Sequence, residues 1–184
     1  ADIRDAVLNR DPDAIVAQWT ADDLTRVFRT YLDHVRDVDG WSLETVRSQP
    51  TAFGNFRRFL LETVGPGVPL GRHLFEIEEW IRWNRLAGRG GHTLNTYWRR
   101  IRSFFRWLDR QYGLPNPFDA LRPPAVPARL PKARSPEECL RILEATEHYP
   151  WPDAFERVRN LAVVATALYA GLRRKELVGL KFLD

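Results

Sequence analysis

Thr93-Leu94-Asn95-Thr96-Tyr97-Trp98-Arg99-Arg100-Ile101-Arg102-Ser103-Phe104-Phe105-Arg106-Trp107-Leu108 carries two stripes at once. Leu94, Trp98, Ile101, Phe105 and Leu108 recur at intervals of three and four, the period of one helical face. Asn95, Arg99, Arg102 and Arg106 recur at the same period on the far side. The stretch therefore predicts a helix from Thr93 to about Tyr112, with one face packed and the other a row of arginines. At ~1.5 Å per residue the row reaches roughly 16 Å, long enough to lie along a duplex groove and meet several phosphates. Helix faces that are merely solvated usually mix signs, and no acid occurs from Gly88 to Leu108. The alternative is a solvated cationic face with no ligand.

Working toward the N-terminus, Gly88-Arg89-Gly90-Gly91 closes a preceding helix expected over about Arg72 to Leu86, with Leu74, Ile77, Trp80, Ile81 and Leu86 inward. Gly65-Pro66-Gly67 is a turn. Before it, Ser42 opens a helix with Glu44 and Thr45 in its first turn, running through Val46, Phe53, Phe56, Phe59 and Leu60, with Pro50 expected to kink it or split off its first turn. Arg57 and Arg58 on this helix extend the basic patch. A first helix starts after Thr20 and places Leu24, Val27, Phe28, Tyr31, Leu32 and Val35 on one side, with Gly40 past its end. Residues 1–20 have little pattern and read as an extension anchored by Trp19.

The charge follows this layout. Residues 1–50 carry a net −4, residues 51–134 a net +9 and residues 135–184 a net −1, within an overall +4. Of the 15 basic residues in the middle segment, 14 are arginine, which suits bidentate phosphate contact and stacking better than lysine does. The chain is globular in composition, with 44% hydrophobic and 28% charged residues. No uncharged run is long enough for a bilayer span and the first residues lack a signal-peptide layout, so a cytoplasmic location is expected. The one cysteine, Cys139, reads as a small core or boundary residue.

Toward the C-terminus, seven of the 13 prolines fall between residues 113 and 136, which predicts a stiff linker and a domain boundary. Ser135-Pro136-Glu137-Glu138 then starts a helix by cap, proline and acids, with Leu140, Leu143 and Ala145 inward. Pro150-Trp151-Pro152 breaks the chain. A helix free of charge from Asn160 follows, with Leu161, Val164 and Leu168 on one face and expected to be buried, Tyr169 with it. Gly171 ends it, and Arg173 and Glu176 stand three residues apart at the start of the next. An arginine held at such a corner beside a carboxylate is shaped to contact two oxygens of a phosphate. The alternative there is a surface Arg-Glu pair. No strand has a claim, so the fold class expected is all-α. No zinc-ligand spacing, glycine-rich phosphate loop or Gly-x-Ser-x-Gly elbow is present, and no cofactor, metal or small-molecule ligand is expected.

Taken together these residues resemble the tyrosine recombinase family, the phage integrases and their relatives. The likeness covers about residues 21–184. It is carried by Ser42-x-x-Thr45 with Phe56 and Leu60, by Thr93-Leu94-Asn95 with Arg102-Ser103-Phe104-Phe105-Arg106-Trp107-Leu108, and by Asn116-Pro117. Leu130-Pro131 before Ser135-Pro136-Glu137-Glu138 continues it, and Gly171-Leu172-Arg173-x-x-Glu176-Leu177-x-x-Leu180-x-x-x-Asp184 completes it. The resemblance implies a four-helix, SAM-like core-binding domain over residues 21–112 after an extension over 1–20. A linker over 113–134 would follow, and residues 135–184 would begin a catalytic domain that stops before its small sheet. Double-stranded DNA is the implied partner, met by Arg57, Arg58, Thr93, Asn95, Arg99, Arg102 and Arg106, with self-association on DNA in the full-length protein.

In such enzymes the arginine matching Arg173 holds the scissile phosphate and the acid matching Glu176 helps place it. A tyrosine nucleophile keeps the cut end as a phosphotyrosine, without ATP or metal. This chain departs from the family after Asp184, where a hairpin lysine, a His-x-x-Arg motif and the tyrosine would follow. His34, His73, His92 and His148 have no arginine at the third position beyond, and no tyrosine follows Arg173. The expectation is a chain that binds duplex DNA without cleaving it. Other readings are a truncated regulator of recombination and a helical protein-interaction domain with an incidental arginine face.

Overall fold

The computed structural model describes residues 18–128 and 133–181, so most of the N-terminal extension, Leu130-Pro131 and Asp184 lie outside the described residues. Every regular element among the described residues is helical. Two compact units divide at residues 128 and 129.

The first unit opens with α1, Ala21–Asp37. Thr20 caps it reciprocally: the Asp23 amide donates to Thr20 Oγ1 at 3.3 Å, and the Thr20 amide donates to Asp23 Oδ2 at 2.9 Å. Leu24, Val27, Phe28, Tyr31 and Val35 are buried along its inner face, as the periodicity predicts. The hydrogen bond from the Thr20 side chain holds the Asp23 carboxyl below the usual carboxylate range. A depressed folded pKa adds stability at pH above the unfolded value of about 3.9, and that stability is lost as pH falls through the folded pKa. Thr20→Ala is expected to cost about 1 kcal/mol in urea unfolding near neutral pH, and less at pH values low enough to protonate Asp23.

After Gly40, which takes a φ of 66°, α2 spans Leu43–Val64 with the Ser42 hydroxyl accepting from the Thr45 amide at 3.2 Å. Pro50 neither splits this helix nor detaches its first turn. Its ring removes one backbone donor, while nearby carbonyls are met by side chains: Ser48 Oγ donates to Thr45 O at 2.7 Å, and Arg100 Nη1 donates to Ser48 O at 2.6 Å. A 3-10 turn at Gly71–Phe75 and α3 at Ile77–Leu86 replace the single helix expected over Arg72 to Leu86. Glu76, with ψ of 60°, breaks the run, and this lets Leu70 and Leu74 turn into the core beside Ile77. Leu86, expected inward, is 85% exposed at the last turn of α3; Asn84 takes the buried position instead.

The central helix, α4, spans Gly91–Tyr112 and buries Leu94, Trp98, Ile101, Phe104, Phe105, Trp107 and Leu108. Phe104 enters the junction of three helices, where Phe28 of α1 stacks on Phe53 of α2 at 3.8 Å between ring centres and meets Phe104 edge-on at 5.2 Å. The proline-rich stretch read as a linker from residue 113 is docked over its first half. Leu114 and Phe118 are buried in the core, and a Cβ at Gly91 would stand 2.8 Å from the Ala125 carbonyl oxygen. Gly91 is what allows that approach.

The second unit holds α5 at Pro136–Glu147, α6 at Ala154–Ala170 and α7 at Arg174–Gly179. Ser135 and Glu138 cap α5 reciprocally, and Asp153 caps α6 by accepting from the Glu156 amide at 2.8 Å. The expectation of a buried α6 is not met: no residue of these three helices is buried. Leu161, Val164 and Leu168 are half-buried, Leu140 and Ala145 are exposed, and Tyr169, read as core, is 72% exposed. Three short helices are too few to enclose an apolar stripe, since each needs a second layer on its hydrophobic side. Among the described residues no helix is long and apolar enough to cross a membrane.

Candidate nucleic-acid interface

The arginine row lies on α4 because the opposite face of that helix fills the core. Arg99 and Arg106 are exposed and have no ion-pair partner among the described residues. Both have side-chain donors open to an incoming anion. Arg102, between them, is held down: its guanidinium lies 5.2 Å from the Trp98 ring centre, its Nη2 is 3.6 Å from Asp119 Oδ1, and its Nε is buried without a partner. Stacking fixes the plane of the group while a single, largely exposed carboxylate only partly offsets its charge. Trp98, Arg99, Arg102, Ser103 and Arg106 line one continuous depression. The structure thus brings three of the expected residues together on one surface.

Other expected residues are placed differently. Asn95 donates from Nδ2 to Pro124 O at 3.0 Å, so its amide tethers the docked proline segment at the head of the row. Thr93 is exposed in the first turn of α4, which starts two residues earlier than expected with Gly90 as its N-cap. Arg57 bridges helices: Nη2 is 2.7 Å from Asp22 Oδ1 and Nε donates to Thr25 Oγ1 at 3.0 Å. Arg58 is exposed beside it. Both stand about two turns, roughly 12 Å, along α2 from Gln49, the part of that helix bordering the row.

Sequence reasoning missed two residues here. Arg100 reaches across to α2 and donates to Ser48 O, which fixes the spacing of the helices. Gln49 is buried on α2 with its Oε1 unpartnered. Neither could be read from α4 alone, because both depend on which turn of α2 faces it.

In the second unit, Gly171 takes a φ of 62° and ends α6 in the left-handed conformation. Arg173 follows in extended backbone as the N-cap of α7. Glu176 accepts twice, from the Arg173 amide at Oε2 (2.8 Å) and from Arg173 Nη1 at Oε1 (3.2 Å). A guanidinium has no acceptor, so the reciprocal half of a capping box cannot form here. The side chain of Arg173 is 88% exposed, which leaves most of its donors open to an anion.

Comparison with known proteins finds relatives named as tyrosine recombinases. The chain is 32% identical over 163 residues to tyrosine recombinase XerC of Rhodospirillum centenum, covering 84% of this chain and 46% of that protein. It is 30% identical over 165 residues to tyrosine recombinase XerC of Myxococcus xanthus, covering 88% and 52%. With tyrosine recombinase XerA of Thermococcus kodakarensis it shares 31% identity over 154 residues, covering 84% and 46%. The chain spans about half the length of the curated relatives it matches. No family model matches it, and no solved structure does.

Proposed function

The chain belongs to the tyrosine recombinase family, and from that premise we propose that it is the part of a site-specific recombinase that grips duplex DNA. The observation that carries this reading is the arginine face of α4, where Arg99 and Arg106 stand without ion-pair partners among the described residues on either side of a stacked Arg102 that Asp119 only partly offsets. Two exposed guanidiniums about two turns, roughly 10 Å, apart on a rigid helix, with Arg102 between them, can meet successive phosphates, and their binding releases condensed counterions.

Arg173 takes the role of the first catalytic arginine. Attack on a phosphodiester builds negative charge on the non-bridging oxygens, and an exposed guanidinium with free donors stabilises that charge. Glu176 positions it by holding both its backbone amide and one terminal nitrogen. The nucleophile of the reaction is a tyrosine that becomes a phosphotyrosine, and no tyrosine follows Arg173 in these 184 residues. The chain therefore binds duplex DNA without cutting it, and self-association on DNA belongs to the full-length protein.

Fluorescence anisotropy with a labelled duplex at low salt, followed by denaturing electrophoresis of a nicked duplex after incubation, tests both halves. Saturable binding with no covalent adduct is expected. Absence of binding at low salt overturns the DNA-binding reading, and a covalent adduct overturns the claim that this chain cannot cleave.

A further inference from the structure

The docked proline-rich segment sets one carboxylate against the arginine row. Phe118 is buried and meets Trp98 edge-on at 5.4 Å between ring centres, with Phe105 at 5.5 Å. Just before it Asn116 shapes a tight turn: its Oδ1 accepts from the Phe118 amide at 3.2 Å, its carbonyl accepts from the Asp119 amide at 3.2 Å, and its Nδ2 donates to Asp119 Oδ1 at 2.9 Å. A buried ring and a closed turn therefore deliver Asp119, and its Oδ1 stands 3.6 Å from Arg102 Nη2.

That distance decides what the carboxylate does. At 3.6 Å it lies outside hydrogen-bond reach, so Asp119 does not fix the plane of the guanidinium; the Trp98 ring, 5.2 Å away, does. What Asp119 supplies is charge. Its side chain is 63% exposed, so water and salt screen the pair, and the carboxylate can turn away at little cost while Phe118 stays seated. Here the row also changes character. Arg106 lines two depressions, one shared with Trp98, Arg99, Arg102 and Ser103 and free of acids, the other shared with Asp109, Arg110, Asn116 and Asp119. Asp119 lines the second and faces Arg102 of the first.

We propose that Asp119 is an autoinhibitory counter-anion: it stands in for a DNA phosphate at Arg102, and the duplex must displace it to complete the row. The proposal rests on the reading of α4 as the DNA-binding face. A phosphate accepts two donors from one guanidinium, whereas the carboxylate at 3.6 Å accepts none from Arg102, so the exchange favours DNA. Only one side chain has to move. Once displaced, Asp119 carries its charge beside an anionic backbone and takes up a cation from solution, which cancels part of the counterion release that Arg102 would otherwise give. The docked segment thereby holds Arg102 below the affinity of a free arginine.

The test is fluorescence anisotropy with one labelled duplex over a series of salt concentrations, run on the 184-residue chain, on Asp119→Asn, on Arg102→Ala and on the double variant. Asparagine keeps the oxygen to which Asn116 donates, so the melting temperature of Asp119→Asn should match that of the parent chain. Asp119→Asn should bind about two- to fivefold more tightly near 0.1 M salt and steepen the slope of log binding constant against log salt by up to about one unit. In the Arg102→Ala background the same substitution should lose most of that gain and leave the slope nearly unchanged. A gain of equal size in both backgrounds overturns the proposal, because Asp119 would then repel DNA through the general field and not through Arg102. No gain, or a loss of affinity, in the parent background also overturns it, and leaves the DNA-binding reading standing. Failure of the parent chain to bind any duplex overturns both.

Discussion

Replacing Arg99, Arg102 and Arg106 together by alanine is expected to lower affinity for duplex DNA by about 100- to 1000-fold near 0.1 M salt. Each phosphate contact releases about 0.9 of a counterion, which at that salt concentration is worth roughly one factor of eight, and three contacts multiply to about 500. The three side chains do not contribute equally. Arg99 and Arg106 are unpaired among the described residues, so each should give its full factor, whereas Arg102 already faces Asp119 and should give less. Asp119→Asn should accordingly raise affinity a few-fold by releasing Arg102. The fold should tolerate the loss. Two of the three positions are exposed, and surface changes usually stay within about 0.5 kcal/mol; the stacking of the half-buried Arg102 on Trp98 adds about 1–2 kcal/mol. Arg82→Ala with Arg85→Ala on α3 removes charge from another surface and serves as control. Equal loss per charge removed in the two sets would show that net charge, and not the α4 face, sets affinity.

The largest effect on stability is expected from Asn84→Ala. Asn84 is fully buried where α3 meets α2 and exchanges two hydrogen bonds with Asn55, from Asn55 Nδ2 to Asn84 Oδ1 at 3.0 Å and from Asn84 Nδ2 to Asn55 Oδ1 at 3.1 Å. Asn55 Oδ1 also accepts from Trp80 Nε1 at 2.8 Å, and Asn84 Nδ2 donates to Trp80 O at 2.9 Å. Truncating Asn84 strands the Asn55 amide donor in a dry core and leaves a cavity. The first term costs about 1–3 kcal/mol and the second adds to it, so a total of about 3 kcal/mol is expected. For a unit of this size that is a fall in melting temperature of roughly 10–20 °C, measurable by circular dichroism. Asn55→Ala should cost as much, and the double variant should cost less than the sum by about 1–3 kcal/mol, because one network is lost only once. Additive losses of under 1 kcal/mol would mean the pair is not coupled.

The same network explains part of what the sequence concealed. Hydrophobic period located each main helix of the first unit and its inward stripe, and the caps at Thr20 and Ser42, like that at Ser135 in the second unit, marked helix starts by local chemistry that needs no tertiary context. Asn55, Asn84 and Gln49 are polar residues in buried positions, and a periodicity argument assigns them outward by default. The break at Glu76 was hidden because Leu74, Ile77 and Trp80 keep three-residue spacing across it, which a 3-10 turn followed by a helix also satisfies. Prolines at 115, 117, 123 and 124 marked a stretch without a helix, but it turns over residues 117–120 instead of running extended, and the burial of Leu114 and Phe118 shows that it docks. In the second unit apolar spacing was read as burial, whereas spacing fixes only which side of α6 is apolar. Of the candidate site, the arginine row and the Arg173–Glu176 corner were legible because both are local to one helix or one turn. The ties of Arg57 to Asp22 and of Arg100 to Ser48 are not local, and only the packing of the helices reveals them.

The most direct test of the whole account is the slope of log binding constant against log salt for the 184-residue chain and for its Arg99, Arg102 and Arg106 triple alanine variant on the same duplex. The α4 interface predicts a steep negative slope in the parent chain that becomes shallower by about two to three units in the variant, close to one for each phosphate contact removed. Equal slopes in the two proteins would contradict it.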